Sequence, residues 1–170
     1  NIGPRMTIAR LRNVGADLSS GKYLVFLDAD MIVPPNWLLA AGAYFKDGFE
    51  GLFGFVDKVP EEAGLIAKAW GNRLFLLRDK AVDVDYLPGR NLFINRRLFL
   101  ELGGFDEALT TAEDKDLTLR VAASGRRVFS SPEAPVVHLG YERSLKQFIV
   151  KEYWRQGGAF DLLLKNRASL

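Results

Sequence analysis

A chain of 170 residues with 48% hydrophobic and 26% charged side chains is long enough to bury a single core and too apolar to stay disordered. Its 23 basic and 21 acidic residues leave a net charge of +2, too small to track a phosphate backbone, so no nucleic-acid partner is expected. The absence of cysteine excludes disulfides and thiolate metal sites. No run approaches the roughly 18 apolar residues of a membrane span, and no secretory signal is present. The chain opens on Asn1 rather than methionine and is expected to be a piece of a longer product.

In chain order, Pro4 to Ser20 places Ile8, Leu11, Ala16 and Leu18 among Arg5, Arg10 and Arg12, the pattern of an amphipathic helix ending near Gly21. Gly15 inside it points to close packing or a backbone approach, with a merely tolerated glycine as the alternative. Tyr23-Leu24-Val25-Phe26-Leu27 is a continuous apolar run bounded by Gly21 and Pro34-Pro35, as in a strand covered on both faces in an α/β sheet. Pro34-Pro35-Asn36 opens a helix through Trp37, Leu38, Ala41 and Tyr44, closed by Asp47-Gly48. A strand is expected over Gly51 to Val56, a long buried helix over Glu61 to Lys80, and an alternating strand over Val82 to Tyr86. Leu87-Pro88-Gly89 turns the chain into a strand over Asn91 to Asn95, and Arg96-Arg97 leads a short helix to Gly103-Gly104. Thr110 with Glu113 fits a capping box for a helix running to Ser124-Gly125. Two short strands, Arg127 to Phe129 and Pro135 to His138, precede a final amphipathic helix from Ser144 to Lys165, interrupted at Gly157-Gly158.

Three constellations carry chemistry. Asp28 and Asp30 follow the apolar run; strand alternation would put both on one side, where their repulsion calls for a cation or ligand donors. Hard carboxylate oxygens suit Mg²⁺ or Mn²⁺, which commonly bridge to substrate phosphates. The alternative is a pair of solvated turn aspartates. Glu113-Asp114-Lys115-Asp116 lies in the first turn of a helix, with Asp114 on the stripe of Leu117 and Val121, a candidate general base. The competing reading has all three acids complementing the helix dipole, with Asp116 pairing Arg120 four residues on. His138, the sole histidine, ends a strand and could complete an Asp/His/phosphate shell, though a lone histidine is often structural.

Arg12-Asn13-Val14-Gly15, Gly21-Lys22-Tyr23-Leu24-Val25-Phe26-Leu27-Asp28-Ala29-Asp30, Gly103-Gly104-Phe105-Asp106-Glu107, Glu113-Asp114-Lys115-Asp116-Leu117 and His138-Leu139-Gly140 together resemble the family 2 glycosyltransferases in order and rough spacing. The resemblance implies an α/β chain of the GT-A, Rossmann-like fold, with a mixed, mainly parallel sheet flanked by helices. It implies a transferase moving a sugar from a nucleotide-diphospho-sugar to an acceptor hydroxyl, inverting and metal-dependent. By the same resemblance Asp30 would hold Mn²⁺ or Mg²⁺ with His138 in reach; Arg12 and Asp28 would join Asp30 in binding the nucleotide sugar. Asp114 would be the catalytic base, and Asn91, Glu113, Trp154 and Arg155 would lie on the acceptor side. The acceptor would be a glycan, a lipid-linked molecule or a small molecule. Localisation is expected to be cytoplasmic, with peripheral association at the inner membrane face left open.

The family domain opens with strand-helix units that bind base and ribose, so residues 1–170 are expected to form the C-terminal two-thirds of one catalytic domain, truncated at its N-terminal side. Such a chain would expose one side of the Lys22 to Leu27 strand, self-associate, and transfer no sugar alone. Tyr153-Trp154-Arg155-Gln156 has the residue types of the processive Gln-x-x-Arg-Trp motif without its order, which favours a non-processive enzyme. Two rivals stand beside this reading. One is a haloacid-dehalogenase-type phosphatase with Asp28 as nucleophile, although Met31-Ile32 departs from its Gly-Thr continuation. The other is a non-catalytic nucleotide- or sugar-binding module.

Overall fold

The computed structural model describes residues 6–74, 80–142 and 144–168. Among the described residues twelve elements follow one another: α1 (Ile8–Leu18), β1 (Tyr23–Leu27), β2 (Met31–Ile32), α2 (Trp37–Lys46), β3 (Leu52–Lys58), α3 (Leu65–Leu74), β4 (Val82–Asp83), β5 (Asn91–Asn95), α4 (Arg96–Glu101), α5 (Glu113–Ala123), β6 (Val128–His138) and α6 (Leu145–Ala168). The strands form one mixed sheet in the order β1-β5-β3-β6-β2, with β4 also paired to β6. Strands β3 and β6 are parallel neighbours, and the other pairings are antiparallel. It follows that β1, β3 and β6 run one way and β5 runs against them.

Alternation along β3, β5 and β6 feeds two cores, one on each face of the sheet. On one face Leu24, Phe26, Leu52, Leu92, Ile94 and Val128 pack with Ala9 and Ala16 of α1, Leu98 and Phe99 of α4, and Leu117 and Val121 of α5. On the other, Phe53, Phe93 and Phe129 pack under Trp37 and Ala41 of α2. Phe53 is the hub of that face: its ring lies 7° from the planes of both Phe93 and Phe129, with centroids 4.7 and 5.2 Å away. The apolar runs of β3 and β5 are thus covered on both sides. Strand β1 is covered on the α2 side only at its start, where Tyr23 stacks on Phe45 of α2 at 3.7 Å; Val25 and Leu27 remain 39% and 42% exposed at an edge paired only to β5 among the described residues.

Several sequence expectations change in detail. The alternating stretch from Val82 narrows to the two residues of β4. The helix from Glu61 begins at Leu65, which is 87% exposed, and Ala67 is its buried contact among the described side chains; the expected stretch 75–79 lies outside the described residues. The two strands expected over Arg127 to Phe129 and Pro135 to His138 are the single strand β6. The ladder passes from Phe55↔Ser131 to Asp57↔Val136, so Pro132 and Pro135, which lack an N–H, fall in the excursion rather than the ladder. Gly15 meets no atom that a side chain there would touch and is simply tolerated.

The final helix is continuous through Gly157-Gly158, and the two glycines are not equivalent. A Cβ on Gly157 would enter open space, whereas one on Gly158 would overlap Thr111 Oγ1 and its backbone. Helix propensity alone favours alanine over glycine by about 1 kcal/mol. Gly157→Ala is therefore expected to raise the unfolding free energy by about 0.5–1 kcal/mol, while Gly158→Ala lowers it by about 1–3 kcal/mol through overpacking. Urea denaturation of the two variants checks this; a shared sign would contradict the close approach of α6 to Thr111.

Candidate active site

The C-terminal ends of β1, β3 and β6 lie on one edge of the sheet, where ligands of open α/β folds bind. A cavity of about 430 Å³ opens there, lined by Arg12, Asp28, the Tyr86 to Arg90 loop, the N-terminal turn of α5, His138 to Glu142, and the Trp154 region of α6. It brings together Arg12, Asp28, Glu113, Asp114, His138, Trp154 and Arg155 from the sequence reading.

Strand β1 ends at Leu27, and Asp28-Ala29-Asp30 forms a turn, so strand alternation does not govern the two acids. They part company: Asp28 Oδ1 accepts from Arg12 Nη2 at 2.9 Å, while Asp30 Oδ2 lies 3.3 Å from His138 Nε2. The antiparallel β2–β6 pairing sets the second contact, since Met31 lies opposite His138 and the Leu139 N–H donates to the Asp30 carbonyl. Gly140 completes it, because a Cβ there would collide with both Asp30 Oδ2 and His138 Nε2.

His138 is pushed below the ordinary imidazole value, first by burial, which disfavours the imidazolium, and next by the Arg90 charge; Asp30 pulls the other way. Its ring meets Tyr141 at 4.8 Å and 64°. The Tyr141 hydroxyl, buried without a hydrogen-bond partner among the described residues, is pushed up to about 12 chiefly by burial. A neutral imidazole beside a carboxylate is a donor set that suits Mn²⁺ or Mg²⁺ completed by phosphate oxygens and water. Among the described residues no third histidine, cysteine or carboxylate joins the pair.

Helix α5 builds the opposite wall. The expected Thr110–Glu113 capping box does not form: the N-cap is Ala112, held at φ 66° with no side-chain cap bond. Glu113 instead accepts from Arg12 Nη1 at 2.6 Å. Burial pushes its carboxyl above the usual range and the adjacent Asp114 charge adds to that, while Arg12 opposes both. Asp114 is only partly buried, turned out from the Leu117–Val121 stripe toward the cavity. Its Oδ2 accepts from the Gly89 N–H at 2.7 Å and the Tyr86 hydroxyl at 3.0 Å, and its Oδ1 from the Lys115 N–H at 2.8 Å. Asp116 pairs with Arg120, as the four-residue spacing predicts, and also with Lys165.

Asn91 is a correction. It is 3% exposed, donating to the Phe55 carbonyl at 3.0 Å and accepting from Trp37 Nε1 at 3.3 Å, so both ends of its amide are spent inside the sheet and it is not on the acceptor side. Arg155 lines the cavity but is committed to Glu142 at 2.9 Å and to Glu152. Trp154 sits half-exposed on the rim.

Tyr86, Gly89, Arg90, Tyr141 and Glu142 also line the cavity and were missed in the sequence. Their partners are remote, so the one local signal was the Pro88-Gly89 turn. Glu142 is buried between Lys151 and Arg155, each at 2.9 Å. Burial works against its ionisation, but the Lys151 hydrogen bond and the neighbouring cations outweigh it and hold the carboxyl below the ordinary value. Lys151 also donates to the Gly140 carbonyl at 3.1 Å, so α6 fastens the loop that follows His138.

The pH dependence of stability follows from the depressed imidazole. Above about pH 6.5 His138 is neutral in both folded and unfolded chains, and its contribution is intact. As the pH falls through 6.5 the unfolded chain takes the proton first, and that contribution is progressively lost. Between about pH 8 and pH 5 the unfolding free energy should therefore fall more steeply for the wild type than for His138→Gln. Parallel denaturation curves for the two would mean that the imidazole titrates normally.

Residues 5–103 match the family model described as glycosyl transferase family 2, and residues 68–166 match that described as glycosyltransferase like family 2. The pre-mycofactocin glycosyltransferase of Mycobacterium tuberculosis is 26% identical over 166 residues, spanning 93% of this chain and 35% of that protein. Among solved structures, the mannosyltransferase PcManGT from Pyrobaculum calidifontis in complex with GDP-Man and Mn²⁺ superposes with a TM-score of 0.69 at 18% identity, over 96% of this chain and 45% of that one. GalNAc-T7 with UDP, GalNAc and Mn²⁺ gives 0.64 at 19% identity, over 86% and 34%. TarS of S. aureus in complex with UDP-GlcNAc gives 0.61 at 16%, over 84% and 42%. These likenesses show the GT-A fold.

Proposed function

The chain belongs to glycosyl transferase family 2, and on that premise we propose that it carries the catalytic edge of an enzyme transferring a sugar from a nucleotide-diphospho-sugar to an acceptor hydroxyl with inversion. The observation that carries this reading is that one cavity is lined both by His138 and by Asp114. His138 Nε2 lies 3.3 Å from Asp30 Oδ2, which stands behind the lining, and Asp114 is fixed by the Gly89 N–H and the Tyr86 hydroxyl.

Asp30 and His138 would hold a divalent cation, Mn²⁺ or Mg²⁺, which when bound supplies Lewis-acid stabilisation of the departing diphosphate. Asp114 takes the proton of the acceptor hydroxyl as that oxygen attacks the anomeric carbon from the opposite face. The bond from the anomeric carbon to the β-phosphate oxygen breaks, its electron pair leaves with the nucleoside diphosphate, and one displacement inverts the configuration. Asp114 is suited to this because its three hydrogen bonds fix the carboxylate while one lone pair, on Oδ1, remains for the acceptor. Arg12 and Asp28 sit where donor binding is expected. Glu113, tied to Arg12, braces the wall from which Asp114 projects, and Trp154 offers an aromatic face on the acceptor rim.

We further infer that residues 1–170 form the larger part of one catalytic domain. The free edge of β1 supports this, together with the groove of about 520 Å³ between α1 and β1 lined by Ile8, Leu11, Val25 and Leu27, a surface that would bury further strands of the same domain. Peripheral membrane association draws support from α6, which presents Ile149, Tyr153, Phe160, Leu163 and Leu164 outward. Among the described residues no helix is long and apolar enough to cross a membrane. The phosphatase alternative is not favoured: its nucleophile would be Asp28, which is engaged by Arg12. Family membership likewise speaks against a purely binding role.

Asp114→Asn in the full-length protein is expected to lower kcat by about 10²-fold or more with donor affinity nearly intact, since general-base catalysis is typically worth about 10²–10⁴-fold. Steady-state kinetics with a panel of nucleotide sugars tests it, and a near-normal kcat would return Asp114 to a helix-capping role. Asp30→Asn should abolish most of the Mn²⁺ dependence of nucleotide-sugar binding in calorimetry while leaving the thermal midpoint close to wild type. Undiminished Mn²⁺ dependence would remove Asp30 from the metal site.

A further inference from the structure

We propose that Arg90 is a donor-selecting residue whose guanidinium, anchored on Asp57, donates hydrogen bonds to hydroxyl oxygens of the transferred sugar. The proposal rests on the transferase reading above and assigns within it the floor between the two walls.

Backbone and side chain place Arg90 there from two directions. Its carbonyl accepts the Asp28 N–H at 3.1 Å, continuing the β1–β5 ladder past Leu27↔Asn91 and locking Arg90 beside the Asp28–Asp30 turn. Its side chain then crosses to Asp57 at the C-terminal end of β3. Nε donates to Asp57 Oδ2 at 2.5 Å, and Nη2 reaches the same oxygen. A guanidinium has five N–H donors, and Nη1 has no protein partner among the described residues. The side chain is 21% exposed and lines the cavity.

Its neighbours define what lies opposite the free edge. The charge of Arg90 acts on Tyr86 and Tyr141. Tyr86 donates to Asp114, and Tyr141 packs against His138. Arg90 thus lines the same cavity as Tyr86 and Asp114 and as His138 and Tyr141, and the proposal sets the transferred sugar against its guanidinium there.

The identity of the ligand follows from charge. Asp57 is 5% exposed and its carboxylate compensates Arg90. A diphosphate favours an uncompensated cation, whereas a neutralised guanidinium with fixed, unspent N–H groups suits neutral hydroxyl oxygens. Structural need alone is a weak explanation, because a buried ion pair is often no more stabilising than well-packed apolar side chains. Asp57 is accordingly a positioning residue, holding the planar fork at one angle; lysine at position 90 would keep the charge and lose that geometry.

The test uses the full-length protein with Mn²⁺ and calorimetric titration of UDP-glucose, UDP-N-acetylglucosamine and GDP-mannose, each beside its parent UDP or GDP. Arg90→Gln should weaken the best-bound nucleotide sugar by about tenfold or more, with the parent nucleoside diphosphate changed by less than about twofold. It should also narrow the preference among donor sugars. Asp57→Asn should shift the same ratio in the same direction by less. Equal loss of nucleotide sugar and nucleoside diphosphate would assign Arg90 to phosphate and overturn the proposal, as would an unchanged ratio accompanied only by a lower thermal midpoint. If Arg90→Gln does not fold, Arg90→Lys carries the same comparison. Failure of the unsubstituted protein to bind any of the three nucleotide sugars would overturn the transferase reading and this assignment with it.

Discussion

The Arg12 guanidinium sits between two carboxylates that no stretch of local chain could bring together. One amino group reaches Asp28 after β1 and the other reaches Glu113 at the start of α5, 101 residues away in sequence. Glu113 is buried, and burial disfavours its charge. Without Arg12, buried Glu113 would stand uncompensated beside Asp114, and an uncompensated buried charge costs several kcal/mol, while the more exposed Asp28 would lose its tie to α5. Arg12 therefore sets the distance between the β1 turn and α5, and with it the width of the cavity.

Glycines make that geometry sterically possible. At Gly89 a Cβ would press into the Arg12 guanidinium, while the Gly89 N–H is the shortest donor to Asp114, so one residue admits the cation and orients the proposed base. Gly140 does the equivalent for Asp30 and His138 on the other wall. The active surface is assembled from backbone approaching side chain at van der Waals range, and side chains larger than hydrogen would push its walls apart.

What the sequence disclosed was what depends on near neighbours. The apolar run into Asp28 and Asp30, the strand ending at His138, the helix opening at Glu113, and the Asp116–Arg120 pair were all readable from spacing alone. What it concealed were partners chosen by tertiary proximity. Glu113 satisfied the capping-box pattern with Thr110 yet turned to Arg12, since a buried charge-assisted pair outcompetes a cap worth about 1 kcal/mol. Resemblance alone places Asn91 on the acceptor side, but antiparallel β5 carries it between Phe55 and Trp37. The Asp57–Arg90 pair left no pattern at all, having no periodic relation in sequence.

The direction of β5 explains why the site has a floor. In a sheet of strictly parallel strands, loops preceding each strand open on the edge opposite the ligand, and only loops following strands reach it. Strand β5 runs against β1, β3 and β6, so the segment entering it, Tyr86 to Arg90, emerges at the same edge as the segments leaving β1, β3 and β6. That single reversal delivers Tyr86 and the Gly89 N–H to Asp114, and Arg90 to Asp57, from one short loop. The antiparallel insertion is thus the topological feature that lets one sheet edge carry both the carboxylate–imidazole wall and the donors that fix the opposite carboxylate.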